Sequence, residues 1–132
     1  MPKTLYYAGI GSRETPDNVL NVMYEIGFQL AKEGWVLRSG GAHGADSAFY
    51  VGTANAKGKH EIFLPWEGFN GYSQNDPGFY VPEYTQEHLS IASHFHPAWN
   101  NCSAGAKKMH ARNVCQVAGL DLNTKSDLVI CC

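Results

Sequence analysis

The sequence predicts an α/β fold in which helices cover both faces of a parallel sheet, and three observations carry that prediction. Short, nearly continuous apolar runs alternate with segments of helical periodicity. Parallel neighbours cannot be joined by tight turns, so the helical segments act as right-handed crossovers. Glycine-containing turns follow the first two runs, at the carboxyl edge where open parallel sheets bind ligands. A length of 132 residues suits one domain, so residues 1–132 are read as a single three-layer α/β/α unit.

The elements follow in order. Leu5-Tyr6-Tyr7-Ala8-Gly9-Ile10 is an apolar run ending at Gly11 and reads as the first strand. Thr15-Pro16-Asp17 offers a helix start, and Val19, Val22, Met23, Ile26 and Leu30 recur at helical spacing until Gly34. Trp35-Val36-Leu37-Arg38-Ser39 reads as the second strand. Gly40-Gly41-Ala42-His43-Gly44-Ala45-Asp46 breaks the pattern before an alanine-rich helix through Ala48, Phe49 and Ala56, closed by Gly58. Glu61-Ile62-Phe63-Leu64-Pro65 is a third strand stopped by its own proline. Residues 66–84 carry no period, so 65–85 is read as a lid-like loop. Helices are expected from Gln86 to His94 and, after Pro97, from Ser103 to Ala118. The terminal run Leu128-Val129-Ile130-Cys131-Cys132 reads as a buried fourth strand. Three strands winding one way and the fourth crossing over give a strand order of 3-2-1-4.

Composition narrows the function classes. Hydrophobic residues make up 44% and charged residues 17%, enough apolar material for a core and too little charge for a disordered chain. Ten Lys and Arg against twelve Asp and Glu give a formal net charge of -2, so no bulk positive field draws the chain to nucleic acid or an anionic membrane. There is no apolar run of about 20 residues and no signal-like start at Met1-Pro2-Lys3-Thr4. A cytoplasmic protein without membrane partners is expected. The four cysteines match no zinc finger and are read as free thiols. His94-Phe95-His96, with His88, Cys102 and His110 nearby, also fits no standard zinc spacing. Neither a metal nor another cofactor is expected.

The chemistry-bearing residues gather at the two turns. Gly11, Ser12 and Arg13 follow the first strand, and Gly40, Gly41, His43, Gly44 and Asp46 follow the second. Glycine lets backbone approach an anion, and helix-start N–H groups point toward it with the positive end of the dipole. Ser12 adds a hydroxyl, and Arg13 a charge-assisted bidentate contact with phosphate or carboxylate. Glu14 stands where the dinucleotide fingerprint needs its third glycine, and Gly-Lys-Ser/Thr is absent. Ordinary NAD binding and ATP hydrolysis are therefore disfavoured. Asp46 either caps local N–H groups or accepts from sugar hydroxyls. Arg112 or Asn113, in the polar cluster His110-Ala111-Arg112-Asn113, either faces solvent or completes the pocket at the switch point. Trp66, Phe69 and Tyr72 either stack a base or form a minor cluster under the loop.

Tyr7-Ala8-Gly9-Ile10-Gly11-Ser12-Arg13 and Arg38-Ser39-Gly40-Gly41-Ala42-His43-Gly44-Ala45-Asp46 resemble the Rossmann-type SLOG superfamily, which includes the DNA-processing protein DprA/Smf and the LOG phosphoribohydrolases. The resemblance extends through His110-Ala111-Arg112-Asn113 and is greatest to short phage and bacterial DprA-like members. It implies a Rossmann-like fold and a phosphate or nucleotide pocket formed by Gly11, Ser12, Arg13, Gly40, Gly41, Gly44 and Asp46, closed by Arg112 and Asn113. The LOG segment Pro-Gly-Gly-x-Gly-Thr-x-x-Glu has no counterpart in these residues.

The leading expectation is a protein that binds a nucleotide or phosphoribosyl-containing ligand without transforming it, as sensor, carrier or sequestering protein. One alternative is a LOG-like N-glycosidic hydrolase using Glu14, Asp46, His43 or His110. Another is a DprA-like accessory that contacts single-stranded DNA through Arg13, Lys107, Lys108 and Arg112. The apolar last strand forms a sheet edge that invites cover, either by another copy of the chain as a homo-oligomer or by further polypeptide.

Overall fold

The computed structural model describes residues 3–131. Its elements run β1 (Tyr6–Ile10), α1 (Asp17–Lys32), β2 (Val36–Ser39), α2 (Ala45–Asn55), β3 (His60–Phe63), β4 (Phe79–Tyr80), α3 (Gln86–Phe95), α4 (Ala104–Ala118) and β5 (Leu128–Cys131). The sheet is parallel throughout, in the order β4-β3-β2-β1-β5. Helices α1 and α2 pack together, as do α3 and α4, giving the three-layer α/β/α arrangement. The direction of winding reverses between β1 and β5, because β2 and β3 extend the sheet on one side of β1 while β5 crosses to the other.

The four strands expected from sequence occupy the expected order, but the sheet has a fifth. Strand β4 comes from the segment read as a lid-like loop and extends the edge beside β3. Two residues are too few to show any alternation. Pairing holds them: the N–H of Ile62 donates to the carbonyl of Gly78 at 2.8 Å, and that of Leu64 to Tyr80 at 2.7 Å. The Tyr84 hydroxyl donates to the Leu64 carbonyl at 2.7 Å, tying the far end of the segment down.

A second correction concerns the terminal run. Leu128–Cys131 is a strand, yet Leu128 and Val129 are 43% and 49% exposed rather than buried. As an edge strand it has a neighbour on one side only, β1, and its side chains are incompletely covered. Cys132 lies outside the described residues.

Side chains from both ends of the sheet fill the core. Tyr7, Leu37, Phe49, Ile62, Leu64 and Phe79 are buried together, with Met23 from α1. Burying a side chain such as Phe49 or Leu37 contributes about 1.5–3 kcal/mol. The helices start on legible signals. Ser103 caps α4 by accepting from Ala106 N–H at 3.1 Å. Thr85 caps α3, and the ring of His88 returns to the Thr85 N–H at 3.2 Å. His88 is thereby committed to a helix start.

A chain-wide constraint comes from Arg38, which sits almost completely buried in the middle of β2. Its Nε donates to Glu61 at 2.9 Å, its Nη1 donates to the Thr124 carbonyl and to Ser126, and its guanidinium lies 4.0 Å from the centre of the Tyr6 ring. The segment leading into β5 is thus pinned to the sheet by a strand arginine.

Candidate functional site

The two glycine turns are locked together. In the first, the Ser12 hydroxyl accepts from Glu14 N–H at 2.9 Å, and the Ser12 carbonyl accepts from the Thr15 hydroxyl at 2.7 Å and Ala45 N–H at 3.2 Å. That last contact brings the N-terminus of α2 against the turn after β1. Gly44 makes the approach possible. Its φ is +79°, and a Cβ there would stand 2.6 Å from the Ser12 carbonyl oxygen and 2.8 Å from Arg13 Cα. One layer below, the Ser39 hydroxyl donates to the Gly9 carbonyl at 2.6 Å, joining the ends of β1 and β2.

Asp46, in the first turn of α2, is buried beneath these turns. Its carboxylate accepts from Ala42 N–H at 3.4 Å. Burial pushes its pKa up, while the Arg112 guanidinium and the backbone N–H groups of Ala42, Gly40 and Gly11 pull it back. The acid therefore takes up donors of both turns from below and holds them in place.

Helix α4 supplies the opposite wall. Arg112 is 4% exposed and reaches under the second turn, donating to the Gly40 carbonyl and, at 3.4 Å, to that of Phe63. Its Nε donates to the Asn113 side-chain oxygen at 2.9 Å, which aims that amide. Burial pulls the Arg112 pKa down, and the nearby Asp46 carboxylate pushes it up. Gly40 has no room for a side chain: a Cβ would meet Gln116 Nε2 at 2.4 Å and Arg112 Nη1 at 2.6 Å.

Between these walls lies a pocket of about 360 Å³, lined by Gly11, Ser12, Asp46, Asn113, Gln116 and neighbouring Ile10, Val117 and Cys131. Ile10 and Cys131 are the last residues of β1 and β5 and stand opposite one another, so the pocket is at the switch point. Of the residues expected from sequence, Gly11, Ser12, Asp46 and Asn113 line it, and Gly40 and Arg112 form its support. Arg13 and His43 are exposed on their turns. Gly41 is turned the other way: with φ +72°, its missing Cβ would point at Leu64 at 2.8 Å and Ile62 at 3.3 Å, into the core. Enlarging Gly41 disturbs the core rather than blocking a ligand. Gln116 and Cys131 escaped the sequence reading. Gln116 lies one helical turn beyond Arg112, and Cys131 lies within the predicted fourth strand beside the first, so spacing and topology together pointed to both.

The three aromatics expected to hold a base lie outside this pocket's lining. Tyr72 stacks on Phe79, with centroids 4.8 Å apart, and meets Tyr50 edge-on, so its faces are used in core packing. Phe69 lies edge-on to Trp66 at 5.4 Å and beside the Arg112 guanidinium at 5.6 Å. Asn70, in the same segment, donates to the Gly41 carbonyl at 3.0 Å and ties the loop to the second turn. Of the four residues expected to contact a DNA strand, Arg112 is buried, Arg13 and Lys108 are exposed, and the Lys107 ammonium sits 5.4 Å from the Trp99 ring centre. Three ligating side chains, His96, Cys102 and His110, do gather away from this pocket.

Fold and site together define a doubly wound α/β protein with a pocket at its switch point whose largely apolar wall carries Ser12, Asp46, Asn113 and Gln116. No family model, curated protein or solved structure matches the chain. Among the described residues no helix is long and apolar enough to cross a membrane.

Proposed function

We propose that this protein binds a nucleotide or phosphoribosyl-containing ligand in the pocket at the ends of β1 and β5, as a sensor, carrier or sequestering protein. The observation that carries the reading is the locking of two glycine turns over a buried acid and a buried arginine, with Arg13 exposed on the first turn. The ligand's phosphate takes the Gly11-Ser12-Arg13 turn, where the Ser12 hydroxyl still has its hydrogen to donate and the exposed Arg13 supplies a guanidinium. Asn113 and Asp46 suit sugar hydroxyls. The resemblance to SLOG proteins points the same way.

The test is thermal melting with AMP, ADP-ribose, cyclic ADP-ribose and inorganic phosphate, with the ligand analysed afterwards. A raised melting temperature with intact ligand is the expected result, and Arg13→Ala abolishes the rise while melting normally without ligand. No shift with any of these ligands would overturn the reading. One observation favours hydrolysis as a second reading: a carboxyl whose pKa is pushed up by burial lines the pocket at Asp46, as a general acid requires. Release of free base or ribose phosphate in the same assay, lost in Asp46→Asn, would decide for that alternative.

A further inference from the structure

His96 follows directly after α3, Cys102 follows a short turn at Trp99–Asn101, and His110 lies on the second turn of α4. The loop folds back so that one ligating atom from each lies within 4.8 Å of the others, all three residues being half-buried. Nε2 of His96 stands 3.8 Å from the Cys102 sulfur, and the two imidazole rings are in contact, with centroids 4.4 Å apart. Among the described residues the His110 ring has no hydrogen-bond partner, so two imidazoles and a thiol face one another without a carboxylate between them. We propose that His96, Cys102 and His110 bind a single zinc ion.

Donor chemistry and distance both support the assignment. Two imidazole nitrogens and one thiolate suit zinc(II) and other borderline or soft ions, not magnesium or calcium. Tetrahedral zinc at about 2.0–2.1 Å from nitrogen and 2.3 Å from sulfur requires donor atoms roughly 3.3–3.7 Å apart. The His96–Cys102 pair, at 3.8 Å, stands about 0.2–0.3 Å beyond the nitrogen–sulfur separation, and with all three donors within 4.8 Å of one another no pair among them needs to close by more than about 1.5 Å. Three protein ligands leave a fourth position for water.

The exchange on binding is explicit. Without metal, Ala98 N–H donates to His96 Nδ1 at 3.1 Å, which places the ring proton on Nε2, facing the sulfur. Coordination through Nε2 moves that proton to Nδ1 and releases the Ala98 contact. The Cys102 thiol gives its proton to solvent, so one proton leaves per ion bound. The gain is a cross-link between the end of α3, the 97–101 turn and α4. The sequence sets these residues near one another, but the five residues between His96 and Cys102 and the seven between Cys102 and His110 match no standard zinc spacing, and only the folding of the chain brings the three together.

The experiment titrates zinc(II) into the full chain in a Cys131→Ser, Cys132→Ser background, by calorimetry, with cobalt(II) as the spectroscopic probe. The expected result is one ion per chain, intense tetrahedral cobalt bands and a sulfur-to-cobalt charge-transfer absorption. Cys102→Ser removes the charge-transfer band. Cys102→Ser and His110→Ala each weaken zinc binding by more than the roughly 10–100-fold cost of losing an outer-shell partner. Metal-free melting of each variant shows that it folds, and His96→Ala replaces any variant that does not. An octahedral cobalt spectrum, absence of one-to-one binding, or affinity unchanged in folded variants would overturn the site.

Discussion

Gly44→Ala tests the contact between the two glycine turns. At φ +79° and ψ -125° the residue lies where an L side chain is strained. A non-glycine residue held in so sparsely populated a region costs about 1–3 kcal/mol. The added methyl would also stand 2.6 Å from the Ser12 carbonyl oxygen and 2.8 Å from Arg13 Cα, both backbone atoms that cannot swing aside. Overpacking of this kind costs about 1–3 kcal/mol. The sum, about 2–6 kcal/mol, is a large part of the 5–15 kcal/mol typical of a whole domain. Gly34→Ala is the reference, because Gly34 also has a positive φ, +89°, but no atom within 4 Å of its missing Cβ, and so escapes the collision. Urea unfolding of both variants, compared at constant m, reads the difference. Gly44→Ala should be the less stable by about 1–3 kcal/mol, and it should lose nucleotide stabilisation, whereas Gly34→Ala keeps it. Equal stability within about 0.5 kcal/mol would refute the packing of the turns against one another.

Other parts of the structure make separate predictions. Arg38→Met leaves the Thr124 carbonyl and partly covered Glu61 without their donor, and urea unfolding should show a loss near the lower end of the roughly 3–5 kcal/mol for a broken buried pair; a loss below about 1 kcal/mol would show that Arg38 does not pin the 124–126 segment. Burial raises the folded-state pKa of Asp46 above its ordinary value of 3.8, so the native state holds its proton longer than the unfolded chain does. Its contribution to stability is therefore greatest at low pH and falls as pH rises from 3.8 through the raised value. The stability of wild type minus that of Asp46→Asn should decline over that window, and a difference that rises with pH would contradict the assigned burial. Burial pushes the Cys115 thiol up to about 11, so alkylation at neutral pH should label Cys102 and Cys131 first and reach Cys115 only on unfolding.

Much of the fold was legible because its signals are local. The runs Leu5–Ile10, Trp35–Ser39 and Glu61–Pro65, separated by periodic helices, specify parallel strands with crossovers whatever the details of packing, and strands form at Tyr6–Ile10, Val36–Ser39 and His60–Phe63. Strand β4 was not legible, since Phe79–Tyr80 becomes a strand only through hydrogen bonds to β3. The run Leu128–Cys131 taken alone reads as buried, and only the strand order derived from the crossovers puts it at an edge, where Leu128 and Val129 are exposed: an apolar run looks the same at an edge as at the centre.

At the pocket, residue type pointed to Ser12, Asp46 and Asn113, but which way each glycine faces depends on tertiary contacts. Gly40 faces α4, Gly44 faces the first turn, and Gly41 faces the core, although all three come from one short motif. Arg112 shows the same limit. The sequence placed it either in solvent or at the pocket, whereas it lies beneath the second turn, held by main-chain carbonyls that no spacing rule identifies.

Titration of backbone and side-chain amides by nuclear magnetic resonance, with ADP-ribose as the ligand, tests the binding pocket most directly. The account predicts saturable shifts concentrated at Gly11, Ser12, Arg13, Asp46 and the Asn113 side-chain amide, with Val22 on the outer face of α1 unmoved. Absence of saturable shifts, or shifts centred away from the ends of β1 and β5, would contradict it.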